Sequence, residues 1–228
     1  MRSTYSRLPA LRIDLRRGLL CGAAFIESPN HDARPAGARP ELIVVHGISL
    51  PPGEFGGPWI ERLFTNSLPA DAHPYFRTIA DLRVAPHLLV RRDGSIAQFV
   101  SFRDRAWHAG KSRYRGRQAC NDFSIGVELE GSDHRAYAGV QYRALAAIVE
   151  VLCGAYPGLS PRRVVGHSDI APGRKTDPGP AFDWRRARRL ISQRLARLSA
   201  ATALRRRFRG APGRAPARTA DPTGGSGI

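Results

Sequence analysis

The chain has 228 residues, 42% of them hydrophobic and 24% charged, enough to bury one substantial core. No apolar run approaches the roughly 20 residues that cross a bilayer as a helix, so a transmembrane helix is excluded. Cys21, Cys120 and Cys153 are widely spaced and form no CxxC, which argues against a disulfide framework and a thiolate zinc finger. Reduced thiols and a cytoplasmic location are expected. Arg16 and Arg17 precede a short apolar stretch, residues 18–26, that is interrupted by glycine and has no Ala-x-Ala site, so it does not read as a signal peptide.

The net charge of +17 is unevenly spread. Residues 185–228 hold 12 arginines and one acid, Asp221, against 24 basic and 18 acidic groups in residues 1–184. The excess therefore describes an appendage more than a body. Past about residue 204 the chain is Arg, Ala, Pro and Gly with few large apolar residues. The reading is a domain over 1–204, its core about 20–190, and an arginine-rich, disordered tail over 205–228. Arg205-Arg-Arg-Phe-Arg209 contains a single aromatic and no recognised DNA-binding motif, so a specific nucleic-acid partner is not expected.

In chain order, Glu41-Leu-Ile-Val-Val-His46 reads as a buried strand with His46 at its end, feeding the turn-rich Leu50–Pro58 loop. Asp93-Gly94 between His87–Arg92 and Ser95–Phe102 predicts a hairpin with a two-residue type I′ turn. Ser124–Glu130 alternates with period two, which sets Ile125, Val127 and Leu129 on one face and Ser124, Gly126, Glu128 and Glu130 on the other. Val140, Leu145, Ile148, Val149 and Leu152 recur at helical spacing, and Tyr156-Pro157-Gly158 ends that helix. Val164–His167 is a brief strand with a second terminal histidine. The Ser168–Pro180 stretch, with three prolines and two glycines, is expected to be neither helix nor central strand. Asp183 is the expected N-cap of a last helix whose apolar face is Trp184, Ala187, Ile191, Leu195 and Leu198.

Two histidines at strand ends and Asp177 ten residues past the second suit a catalytic zinc site, which takes three N or O ligands and leaves a fourth position for water. Spacing alone leaves His87, His108 and Asp169 as rival ligands. Glu128, on the polar side of an otherwise apolar strand, is either a general base or a hydrogen-bonded strand carboxylate. Lys175 is one of two lysines beside 34 arginines, a compact ammonium where the chain otherwise uses guanidinium. Trp107 is either a platform for a sugar face or a core residue.

Val44-Val-His46, Ile48–Trp59, Arg105-Ala-Trp-His-Ala-Gly110, Cys120–Gly131 and Gly166–Phe182 together resemble the zinc-dependent N-acetylmuramoyl-L-alanine amidases, in order and over about residues 20–190. Within that family the likeness is to the branch acting on 1,6-anhydro muropeptides in peptidoglycan recycling. The resemblance implies an α/β (α+β) single domain, a mixed central sheet with helices on both faces, similar to peptidoglycan-recognition proteins. It implies one Zn²⁺ per chain held by His46, His167 and Asp177, with Glu128 as general base and Lys175 stabilising the oxyanion. Substrate contacts are implied from Arg83, Trp107 and the backbone around Ala171. The implied substrate is a muropeptide, cut at the lactyl amide to L-alanine by a cytoplasmic monomer without membrane or nucleic-acid partners. Gly47 stands where relatives typically have Asn and Ala119 where they typically have Arg, which removes two polar side chains from the implied substrate contacts. The rivals are a non-catalytic peptidoglycan-binding module, which would not need the complete ligand and catalytic set, and a secreted wall hydrolase.

Overall fold

The computed structural model describes residues 10–209, with side chains through residue 198. The chain enters through β1 (Arg12–Asp14), β2 (Leu19–Cys21), β3 (Ala24–Phe25) and β4 (His31–Ala33), all short. β5 (Leu42–Ile48) follows, then α1 (Trp59–Phe64), β6 (Leu88–Val90), β7 (Ile96–Gln98) and β8 (Asp104–Ala106). The small ribbon of β9 (Arg113–Tyr114) and β10 (Arg117–Gln118) leads to β11 (Ser124–Glu130) and α2 (Gly139–Ala155). The last elements are β12 (Val164–Gly166), α3 (His167–Ile170) and α4 (Trp184–Arg209).

Six strands form one mixed sheet in the order β12-β5-β11-β6-β7-β3. β12, β5, β11 and β6 run parallel, whereas β7 is antiparallel to β6. Strands buried on both faces must be apolar nearly throughout, and Leu42, Ile43, Val44 and Val45 are each 0% exposed. Ile43, Val45, Ile125, Val127 and Leu129 pack against Leu145, Ile148, Val149 and Leu152 of α2 and against Ala187 and Ile191 of α4. On the opposite face, Ile60, Leu63 and Phe64 of α1 pack with Leu89, Ala97 and Phe99, and Ile170 of α3 packs with Leu42 and Val44. Helices thus cover both faces of a mixed sheet, the α+β architecture expected from the resemblance.

Three local expectations need correction. β5 does not stop at His46 but continues through Gly47 and Ile48, because parallel pairing with β11 extends to Ile48↔Glu130. The β6–β7 hairpin pairs Val90 with Ile96, and its loop is built on Gly94 N–H donating to Arg91 O rather than on a two-residue turn. Asp93 Oδ1 accepts from the amide and hydroxyl of Ser95, so Gly94 alone takes the positive φ, +87°. The segment after β12 begins with one helical turn, His167–Ile170, which the Asp169 carboxylate caps by accepting from Gly166 N–H at 2.7 Å. The prolines that forbid a helix start only at Pro172.

Asp183 caps α4 as expected, its Oδ1 accepting from Arg186 N–H at 2.9 Å. Trp184, Ala187, Ile191 and Leu195 pack on the core, while Leu198 is 44% exposed. The helical backbone runs to Arg209, five residues into the stretch expected to be a tail, and residues 210–228 lie outside the described residues. Asp183→Ala should lower unfolding free energy by about 1 kcal/mol. Leu145→Ala, which hollows the α2–sheet interface, should lower it by about 2–5 kcal/mol. Urea unfolding curves of the two variants check that ranking.

Candidate metal centre and active-site cleft

Parallel pairing places Glu128 directly opposite His46 on adjacent strands, and β12 on the other side of β5 delivers His167 one residue past its Gly166↔Val45 pair. The carboxyl ends of parallel strands are where open α/β sheets put their sites. Asp177 joins because the loop folds back on itself. Ser168 N–H donates to Asp177 O at 3.0 Å, and Arg174 and Lys175 N–H both donate to Ala171 O at 3.1 Å. The Tyr137 hydroxyl donates to Pro178 O at 2.9 Å and holds the far side.

His46 Nδ1 and His167 Nδ1 lie 3.0 Å apart, and each is 3.1 Å from Asp177 Oδ2. Three donors this close converge on one point, and a two-imidazole, one-carboxylate set is what divalent zinc-type ions take. The outer ring nitrogens are already committed, His46 Nε2 to His108 Nδ1 at 2.9 Å and His167 Nε2 to Ala109 O at 3.1 Å. The residues present therefore fit a metal ion bound through both Nδ1 atoms and the carboxylate.

Burial, and then the neighbouring His167, drive His46 down to about 4 against the pull of Asp177. Burial pushes the Asp177 carboxyl up, but hydrogen bonds from His167 and His46 outweigh it and hold the group far below the usual carboxylate range. Glu128 behaves oppositely: burial, and next the Asp177 charge, raise it well above that range, with Lys175 opposing. Glu128 Oε2 is buried and has no hydrogen-bond partner within the protein, which leaves it free to bond with a group entering the cleft.

His46, Glu128, His167, Lys175 and Asp177 all line one cleft of about 970 Å³, whose other wall is apolar and includes Leu63, Phe64, Ile79 and Leu82. Of the other candidates, Arg83 is exposed, donates to the Ala80 and Leu82 carbonyls, and is absent from the lining. Trp107 is half-buried with its indole N–H on Asp32, neither core nor cleft wall. Ala171 is buried, with its carbonyl taken by the loop. The rival ligands resolve as well. His87 is fully buried, with Nδ1 accepting from Gly126 N–H and Nε2 meeting Asp104 O. Asp169 is the α3 cap and His108 stands behind His46. At the departures, a side chain on Gly47 would run into the Tyr137 hydroxyl, and Ala119 sits at φ +55°.

Glu130 is a site-supporting residue that the sequence reading placed only on the polar face of its strand. It is 2% exposed and accepts from Gly56 N–H at 2.6 Å, Arg92 N–H at 3.1 Å and Arg91 Nη1 at 3.2 Å. These bonds tie the Leu50–Pro58 loop, which rims the cleft, to the hairpin.

Two histidines at the ends of parallel strands, joined by a loop aspartate and with a buried carboxyl beside them, make a candidate metal centre of the kind hydrolases use. A family model for N-acetylmuramoyl-L-alanine amidase matches residues 36–180, and the chain belongs to that family. It is 58% identical over 179 residues to the 1,6-anhydro-N-acetylmuramyl-L-alanine amidase AmpD of Escherichia coli K12, covering 78% of this chain and 97% of that protein. A crystal structure of an AmpD selenomethionine derivative superposes with TM-score 0.75 at 56% identity, covering 77% of this chain and 97% of the other. The solution structure of Citrobacter freundii AmpD matches with TM-score 0.56 at 57% identity over 75% and 91% of the two chains. Among the described residues no helix is long and apolar enough to cross a membrane.

Glu130→Gln leaves one carboxylate oxygen's worth of donors unserved, and hydrogen bonds to charged groups are worth about 1.5–3 kcal/mol. Unfolding free energy should fall by about 2 kcal/mol, and amide exchange at Gly56 and Arg92 should accelerate, as measured by urea titration and hydrogen-exchange NMR.

Proposed function

We propose that this chain is a cytoplasmic, monomeric zinc amidase that hydrolyses the amide between the lactyl group of 1,6-anhydro-N-acetylmuramic acid and L-alanine in soluble muropeptides. The observation that carries the reading is the convergence of His46 Nδ1, His167 Nδ1 and Asp177 Oδ2 beside the unpartnered Glu128 carboxyl. Family membership and the named activity of the AmpD relatives support it.

Bound zinc would polarise the scissile carbonyl and lower the pKa of the attacking water to about 7. His46, His167 and Asp177 would hold the ion. Glu128 Oε2 takes the proton of the attacking water and passes it to the departing alanine nitrogen. Its pKa, raised by burial and then by the Asp177 charge, makes it a stronger proton acceptor than an ordinary carboxylate. Lys175, exposed at the cleft rim, places an ammonium against the charge that develops on the tetrahedral oxygen. The apolar wall of Leu63, Phe64, Ile79 and Leu82 faces the uncharged part of the substrate.

Chelation should abolish release of L-alanine-containing peptide from soluble anhydromuropeptide, and one equivalent of Zn²⁺ should restore it. In zinc-loaded protein, Glu128→Gln and Lys175→Ala should each reduce turnover by about 10²–10⁴ while zinc content stays at one per chain. Metal analysis with chromatography of the digest measures both. Full activity in zinc-loaded Glu128→Gln would remove the general-base assignment. Cleavage of intact sacculi as fast as soluble fragments would favour a wall hydrolase instead.

A further inference from the structure

Each candidate metal-binding histidine can serve a metal through Nδ1 only if its proton sits on Nε2, so something must receive both outer N–H groups. Both receivers lie on two consecutive residues. His46 Nε2 is 2.9 Å from His108 Nδ1, and His167 Nε2 is 3.1 Å from Ala109 O. A carbonyl is a common partner for this purpose; a second imidazole is not, and it carries a condition. His108 Nδ1 accepts only while unprotonated, so the His108 proton must lie on Nε2, and that nitrogen meets Ser124 Oγ at 3.0 Å.

The geometry around His108 holds it to this role. Its ring meets that of His46 edge-on, at 87° with centroids 5.0 Å apart, so that the His46 Nε2–H is presented at an imidazole edge. Behind it lies Gly126, where an added Cβ would fall 2.5 Å from His108 Cγ. The bare glycine in β11 is thus the seat of the ring. Asn121 Oδ1 accepts from both His108 N–H, at 3.2 Å, and Ala109 N–H, at 2.7 Å, so one amide oxygen positions both receivers at once.

We infer that His108 is a positioning residue for the metal: the relay Ser124–His108–His46, with the neighbouring Ala109 carbonyl on His167 and Asn121 as their common clamp, sets the tautomer and aim of both ligand imidazoles. The inference rests on the metal-site reading above. It assigns the Trp107–Gly110 segment to organising the metal from behind, whereas a sugar-stacking role would put Trp107 in the cleft.

The test measures zinc affinity by competition with a chromophoric chelator on the full chain. His108→Leu keeps bulk but offers no acceptor and should weaken zinc binding about 10–100-fold. His108→Asn puts an amide oxygen near the Nδ1 position and should recover affinity to within about threefold of the unsubstituted protein. Ser124→Ala should weaken binding in the same direction by less. Thermal melts of the metal-free variants serve as control, since a purely structural role would lower them all and would not be rescued by asparagine. If His108→Leu does not fold, ¹⁵N-histidine NMR of the zinc-loaded unsubstituted protein decides. The expected pattern is protonated Nε2 on both His46 and His108 and an unprotonated His108 Nδ1. A proton on His108 Nδ1, or zinc affinity in His108→Leu and Ser124→Ala equal to that of the unsubstituted protein, overturns the inference. Absence of zinc binding in the unsubstituted protein would instead sink the metal-site reading.

Discussion

Parallel pairing of β5 with β11 over seven residues, Leu42↔Ser124 through Ile48↔Glu130, is the constraint on which the site depends. Side chains alternate along a strand, so this register puts His46 and Glu128 side by side, and a one-residue slip would turn one of them to the α2 face. The register is protected by burial of both strands: Ile43, Val45, Ile125, Val127 and Leu129 fill one core with α2, and a one-residue slip would carry the slipped strand's residues off it. Hydrophobic packing on one face thus specifies polar geometry on the other. β12 extends the arrangement, since its pairing with β5 ends at Gly166↔Val45 and releases His167 at the height of His46.

The polar face does not stabilise the fold in the same way. It collects His46, His108, His87 and Glu128 where the sheet is otherwise sealed, and burial drives the imidazoles down and the carboxyl up. Most of the resulting demand for partners is met inside the protein: His87 by Gly126 N–H and Asp104 O, His108 by His46 and Ser124, His167 by Ala109 O. Glu128 Oε2 is the acceptor left over at the cleft. Along this face the imidazoles are held by partners within the protein, whereas Glu128 Oε2 lies unpartnered at the cleft.

The sheet was legible because its strands are short apolar runs bounded by turn residues, and α2 because five apolar residues recur at helical spacing. Boundaries were not. The continuation of β5 through Gly47 is decided by its partner strand, and the form of the Asp93-Gly94 turn by a side-chain bond to Ser95 that competes with the two-residue geometry. For the site, spacing offered four histidines and two aspartates without choosing among them, since a loop that folds back through Ser168 and Asp177 brings together residues ten apart for reasons no periodicity records. The motif resemblance named five residues that line a single cleft. It placed Trp107 and Arg83 at the substrate, and here they lie outside that lining. Glu130 and His108 were visible only in part: the first sat on the correct face of β11, the second stood among the rival ligands that spacing left open.

A neutral group behind His46 has a consequence for Glu128 in the same cleft. Zinc-ligand histidines are commonly backed by a carboxylate, which raises ligand basicity by adding negative charge. Here Asp177 already contributes one anion that pushes Glu128 upward, and Lys175 is the cation that opposes it. A carboxylate at position 108 would bring a second anion into the cleft that Glu128 shares and raise its pKa further. An imidazole receives the His46 N–H without adding charge, and its own proton is disposed of on the Ser124 hydroxyl. His46 is then held in place while the electrostatic balance at Glu128 remains that between Asp177 and Lys175.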